Sequence, residues 1–191
     1  MAGRRLRMPK TAVVLLAEGF EEVEAIAPVD ALRRAGVRVM LAGVSDKIVK
    51  SSRNILVQVD ISLKDIKELP DAVIVPGGMP GSANLAKSEE VGEFLKKMDA
   101  AKKLIAAICA APAVVLAPLG ILNFKKATCY PGCEKDFSDK VAYLKDRVVV
   151  DGHFITSQGP GSALEFALAI VKELVDEKMS ESLREKMLIK A

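Results

Sequence analysis

The chain has 191 residues, half of them hydrophobic, enough apolar side chain for one compact domain with a buried core. Its 3 cysteines, 1 histidine and lack of tryptophan exclude a zinc ribbon, a multi-histidine metal centre and a disulfide-stapled scaffold. The formal charge of +3 is concentrated in Arg4, Arg5, Arg7 and Lys10, and beyond them acids and bases nearly balance, which leaves no electrostatic footprint for nucleic acid.

Residues 1–10 read as a basic N-terminal tail, without the apolar stretch or the serines of a targeting peptide, and 11–191 as a single domain. Strands are predicted over Ala12 to Ala17 and Val37 to Gly43, with a helix from Glu21 to Ala35 between them, ended by Gly36. A strand over Ala72 to Val75 precedes a helix from Ser88 to Ala100, opened by Ser88 with Glu89 and Glu90 in its first turn. Leu104 to Phe124 is a charge-free run of membrane-spanning length, but Pro112, Pro118 and Gly120 interrupt it. It reads instead as a buried strand, Leu104 to Ile108, followed by a short buried helix, Ala110 to Ala117. Strands over Val148 to Val150 and Phe154 to Thr156 flank an Asp151-Gly152 turn. A helix from Ser162 to Lys178 shows a clear apolar face in Leu164, Ala167, Leu168, Val171 and Val175, and Ser180 to Leu188 closes the chain as an amphipathic helix. The alternation describes βα units around a mostly parallel sheet, a soluble, cytoplasmic α/β protein.

In such sheets ligands gather beyond the carboxyl ends of the strands. There the chain carries Glu18 to Glu24, Pro76-Gly77-Gly78, Cys109 and Gln158-Gly159-Pro160-Gly161. Cys109 falls at a strand-to-helix turn with Ala107 and Ala111 two residues either side, the small neighbours of a nucleophile elbow. A helix N-terminus there would lower the thiol pKa. On position alone, a buried inert cysteine is an equal reading. Of the acids after the first strand, Glu24 has apolar helical neighbours in Phe20, Ala27, Pro28 and Ala31, with Glu22 a rival beside Ile26 and Val29. Cys129 and Cys133 have a spacing that would suit a metal or a disulfide, yet no further ligand pair accompanies them, and they read as ordinary thiols. His153 reads as a surface turn histidine rather than a base for Cys109.

Taken together, Ala17-Glu18-Gly19-Phe20-Glu21-Glu22-Val23-Glu24, Pro28-Val29-Asp30, Arg33-Arg34-Ala35-Gly36, Ser52-Arg53, Val75-Pro76-Gly77-Gly78, Ala106 to Pro112 and Thr156 to Gly161 resemble the ThiJ/PfpI superfamily. Within it, the likeness is to the subgroup of the Parkinsonism-associated protein deglycase and its bacterial relatives, and it spans the chain from about Lys10 to the last helix. The resemblance implies a flavodoxin-like three-layer α/β sandwich and a homodimer. It also implies Cys109 as the reactive thiol, Glu24 as its protonated partner, and Gly78 and Ala110 as backbone donors at the sulfur. Gly77, Tyr130, Gly159 and Pro160 would line the pocket, and Arg34 and Arg53 would form a basic patch at the dimer interface. Tyr130 stands where many animal members have histidine, Ala110 where the peptidase-like branch has histidine, Gln158 where some members have arginine, and Ser51 where several have cysteine. A histidine-assisted or peptidase mechanism is therefore not expected.

The implied activity is a cofactor-independent glyoxalase or deglycase acting on methylglyoxal-type 2-oxoaldehydes or their early adducts on proteins. The alternative is a redox sensor and chaperone in which Cys109 oxidises to a sulfinate. No metal, cofactor, nucleic acid or membrane is implied as a partner.

Overall fold

A computed structural model describes residues 9–190; the first eight residues of the basic tail lie outside the described residues. In chain order it contains β1 (Thr11–Leu16), α1 (Glu22–Arg34), β2 (Arg38–Gly43), β3 (Ile48–Lys50), β4 (Leu56–Gln58), β5 (Ile61–Ser62), β6 (Ala72–Val75), α2 (Gly81–Lys87) and α3 (Glu89–Ala100). These are followed by β7 (Leu104–Ile108), β8 (Lys126–Ala127), β9 (Ala142–Tyr143), β10 (Val148–Asp151), β11 (Phe154–Ser157), α4 (Ala163–Leu174) and α5 (Glu177–Lys186). The main sheet runs β10-β11-β7-β6-β1-β2-β5, parallel except for β10 at one edge. Its inner five strands, β2-β1-β6-β7-β11, have the 2-1-3-4-5 order of a flavodoxin-like fold, with the switch point between β1 and β6.

The alternation of strand side chains builds the three layers. In β1, Ala12, Val14 and Leu16 face the α1, α4 and α5 layer, while Val13 and Leu15 face the α2 and α3 layer. Both faces of β1, β6 and β7 are covered, so these strands read as unbroken apolar runs. Phe20, Phe154 and Phe166 are fully buried, each contributing roughly 1.5–3 kcal/mol.

Several elements differ from the sequence-based expectation. The segment after Cys109 is not an α-helix over Ala110 to Ala117. It is a π-helical turn, Pro112–Leu116, followed by a three-ten turn, Ala117–Leu119; Pro118 has no N–H for Val114 O and so interrupts the α-helical ladder, while Pro112 sits in the first turn, where its missing donor costs nothing. The long helix expected to Lys178 ends at Leu174, and Asp176 caps a new helix by accepting from Met179 N–H at 2.7 Å. The antiparallel pair β3 and β4, the short strands β5, β8 and β9, and helix α2 carry too few residues for periodicity to reveal them. No helix among the described residues is long and apolar enough to cross a membrane.

Candidate active site

The switch point brings together the loops after β1, β6 and β7. Phe20 N–H donates to Ala17 O at 3.1 Å, and the chain enters α1 with Glu21 as its cap, whose carboxylate accepts Glu24 N–H at 2.8 Å. Glu21 N–H in turn donates to Gly77 O at 3.0 Å, which locks the β1 and β6 loops together. Glu24 is thereby turned inward and is completely buried. Gly77 N–H donates to its Oε2 at 2.9 Å, while Oε1 has no hydrogen-bond partner.

Glu22 has a different place. Half-buried, it accepts from the hydroxyls of Ser51 and Ser52 and from Arg53 N–H, tying α1 to the β3–β4 pair. Burial works against its charge, but these hydrogen bonds outweigh it and lower its pKa. The choice between the two acids, open on periodicity, falls to Glu24 for the buried position.

Cys109 follows β7 with φ +64°, in the left-handed region that non-glycine residues seldom occupy. Its backbone is held at both ends. Cys109 N–H donates to Ser157 O at 2.9 Å, and its carbonyl accepts Tyr130 N–H at 2.8 Å. The turn places the thiol beside the Glu24 carboxyl, and the backbone N–H groups of Gly78 and Ala110 near the sulfur act to lower its pKa. Such strain, of order 1–3 kcal/mol, persists where the surroundings over-determine it.

Two glycines are required by this closeness. A Cβ on Gly77 would lie 2.5 Å from Cys109 Cβ, 2.7 Å from Glu24 Oε2 and 3.0 Å from Cys109 Sγ. Gly78 has φ +89°, and a Cβ there would meet Glu21 N at 2.5 Å. Gly77→Ala is expected to force the thiol and carboxyl apart, destabilising the fold by about 1–3 kcal/mol and slowing Cys109 alkylation by iodoacetamide at least about tenfold. Urea unfolding and alkylation kinetics measure the two effects.

Burial raises the Glu24 pKa from 4.5 to about 7, and the nearby Glu21 charge adds to it despite the opposing bonds from Cys109 and Gly77. Burial and the adjacent Glu24 carboxylate push the Cys109 thiol up to about 12, against the bonds from Gly78 and Ala110. A helical turn does open directly after Cys109, with Val114 N–H donating to Ala110 O at 2.9 Å, but burial and the adjacent Glu24 outweigh its effect, so the thiol's pKa is raised where the sequence suggests a lowering. Glu24 and Cys109 are best described as a pair holding a proton between them.

A shallow pocket of about 160 Å³ is lined by Tyr130, Pro131, Arg147, Gly159 and Pro160 among others; the expected Gly77 lies between Cys109 and Glu24 instead of in this lining, and Gly159 is the link from the pocket to the pair. Gly159 packs so closely that an added Cβ would be 3.3 Å from the Tyr130 ring and 4.0 Å from Glu24 Oε1. The loop is fixed from behind by Ser162, whose hydroxyl accepts Gly159 N–H at 3.2 Å and bonds Ser157 Oγ at 2.7 Å. Arg147 forks onto Glu165 and donates to Gly161 O. These supports were not singled out in the sequence; Ser162 beside the Gly-Pro-Gly turn was the only local signal. A larger groove of about 890 Å³ between β10 and the helices α4 and α5 contains neither thiol nor buried acid.

His153 occupies the expected two-residue turn between β10 and β11, but its side chain is largely buried, with Nε2 2.7 Å from Asp99 Oδ1. Ile105 N–H donates to His153 O, four residues before Cys109, so the imidazole lies about 13 Å along the strand at the opposite edge of the sheet. His153→Ala should leave Cys109 chemistry within about twofold of wild type and cost about 1 kcal/mol of stability, read by thermal unfolding beside the activity assay. Arg34 pairs with Asp30 at the far end of α1 from Arg53, so one chain does not bring the two arginines together. Cys129 and Cys133 are free thiols, and no group of three or more His, Cys, Asp or Glu among the described residues is placed to hold a metal.

A flavodoxin-like α/β sheet whose switch point buries a carboxyl beside a cysteine on a strained turn defines the class of protein. The chain belongs to the DJ-1/PfpI family, whose model matches residues 10–173. It is 42% identical over 195 residues to the Parkinson disease protein 7 homolog of Danio rerio, covering all of both chains. It is also 42% identical over 177 residues to the glutathione-independent glyoxalase DJR-1.2 of Caenorhabditis elegans, covering 91% of this chain and 94% of that protein. The structure of oxidized Toxoplasma gondii DJ-1 superposes with a TM-score of 0.92 at 38% identity, covering 95% of this chain and 100% of that one.

Proposed function

We propose that the protein is a cysteine-dependent, cofactor-independent glyoxalase that converts methylglyoxal-type 2-oxoaldehydes, free or as early adducts on proteins, to 2-hydroxy acids. The observation that carries this reading is the fully buried Glu24 carboxyl, held by Gly77 N–H beside Cys109 and raised by burial to a pKa of about 7. A group poised there can give and take a proton in one cycle. Cys109 attacks the aldehyde carbon, and the carbonyl oxygen gains a proton to form a hemithioacetal. Glu24 removes the hydrogen from that carbon and returns a proton to the adjacent carbon, which leaves a thioester of the hydroxy acid. Water hydrolyses the thioester and restores the thiol. The Gly78 and Ala110 N–H groups near the sulfur would steady the oxygen that gains charge in the addition. The glyoxalase name of the Caenorhabditis elegans relative supports the same chemistry.

The same donors also support a second reading, in which peroxide oxidises Cys109 to a sulfinate whose oxygens rest on Gly78, Ala110 and a protonated Glu24. One experiment separates the two. Purified protein is given methylglyoxal with no added thiol and, separately, mild peroxide. Many equivalents of lactate per chain support the enzyme; no lactate, with two oxygens added on Cys109 by mass spectrometry, supports the sensor.

We further infer a homodimer. Val23 and Ile26 of α1 are exposed, as are Ile48, Ile55 and Leu56 around the β3–β4 pair, to which Glu22 ties that helix. Arg34 lies twelve residues beyond Glu22, the anchor of Arg53, roughly 18 Å along α1. A basic patch containing both arginines therefore requires a second copy related by a two-fold axis.

A further inference from the structure

Two thiols outside the Cys109 pair stand on the two legs of a single turn. Cys133 N–H donates to Tyr130 O at 2.9 Å, and Gly132 takes φ +97°, so Tyr130, Pro131, Gly132 and Cys133 double the chain back. Cys129, fully buried, immediately precedes this turn, and the half-buried Cys133 ends it. A Cβ on Gly132 would meet nothing within 4 Å, so the tip of the turn has room to adjust. Burial, then the nearby Cys133, pushes the Cys129 thiol up to about 12. The turn borders the pocket, because Tyr130 N–H donates to Cys109 O at 2.8 Å and the Tyr130 ring covers Gly159.

We infer that Cys129 and Cys133 are a dithiol modification site, which a low-molecular-weight disulfide of the glutathione type converts reversibly to an intraloop disulfide with Tyr130 inside the ring. The more accessible Cys133, deprotonated, attacks one sulfur of the small disulfide, whose S–S bond breaks with loss of one small thiolate. Cys129 gives its proton to solvent and attacks the Cys133 sulfur, and the second small thiolate leaves. Two cysteine thiols are oxidised and one small disulfide is reduced to two thiols. Burial and the charges of Asp136 and Glu134 raise the Cys133 pKa, so the first step accelerates as pH rises above neutrality. This inference does not depend on the reaction proposed for Cys109.

The test treats the full chain with glutathione disulfide at mildly alkaline pH, alkylates the remaining thiols with iodoacetamide and digests with trypsin. Lys126 and Lys135 bound a single tryptic peptide that contains both cysteines. The expected result is that this peptide is unalkylated and lighter by two hydrogen atoms, and that dithiothreitol restores alkylation of both cysteines. In Cys129→Ser, Cys133 should instead retain a glutathione adduct, which shows that Cys133 reacts first. Alkylation of both cysteines in the treated wild-type protein, a glutathione adduct that persists on its Cys133, or a crosslink from either to Cys109 would overturn the inference.

Discussion

Cys109→Ser is expected to lower conversion of methylglyoxal by at least about 10³-fold while leaving the fold within about 1 kcal/mol of wild type. A serine hydroxyl is a far weaker acid than a thiol and needs a strong base to become a nucleophile. None is within reach. His153 lies at the opposite edge of the sheet, paired with Asp99, and the burial and Glu24 charge that already raise the thiol's pKa would oppose an alkoxide more strongly still. The fold should hardly notice the change, because the bonds that fix residue 109 are made by its backbone, from Ser157 O and Tyr130 N–H. Steady-state lactate formation and urea unfolding on the same preparation read the two effects separately.

Glu24→Gln should stabilise the fold at about pH 8 while reducing turnover by roughly 10²–10⁴-fold. The acid has a folded-state pKa raised to about 7 from 4.5, so the folded protein holds the proton more tightly than the unfolded chain. Below about pH 4.5 both states are protonated and the ionisation imposes no penalty. As pH rises toward 7 the unfolded chain gains by releasing the proton, and above about 7 the accumulated cost to the native state is on the order of 3 kcal/mol. Glutamine keeps an acceptor for Gly77 N–H but cannot ionise. Its advantage in unfolding free energy should therefore be largest at alkaline pH and shrink toward pH 4.5. An advantage independent of pH would mean that Glu24 is not the buried acid described here.

The parallel strands, the helices α1 and α3, and the loops that converge on the switch point were legible because each rests on a local pattern: buried apolar runs, a Ser88 cap, glycine punctuation. Glu24 was only a favourite on periodicity, since Glu22 has nearly as good an apolar flank. What separates them is non-local, Gly77 N–H fixing one and the Ser51, Ser52 and Arg53 group fixing the other. The thiol's acidity is hidden for a related reason. A helical turn does open after Cys109, as its position suggests, but the charge opposite the thiol comes from Glu24, far away in the chain. The β3–β4 pair and β8 with β9 went unseen because strands of two or three residues depend on their partners for definition.

In the proposed reaction Cys109 forms the bond to substrate and Glu24 moves the proton that follows. Nuclear magnetic resonance of carbon-labelled methylglyoxal mixed with Glu24→Gln tests this most directly. A hemithioacetal carbon on Cys109 is expected to persist with almost no lactate, and to be absent altogether from Cys109→Ser; lactate at the wild-type rate from either variant would rule these roles out.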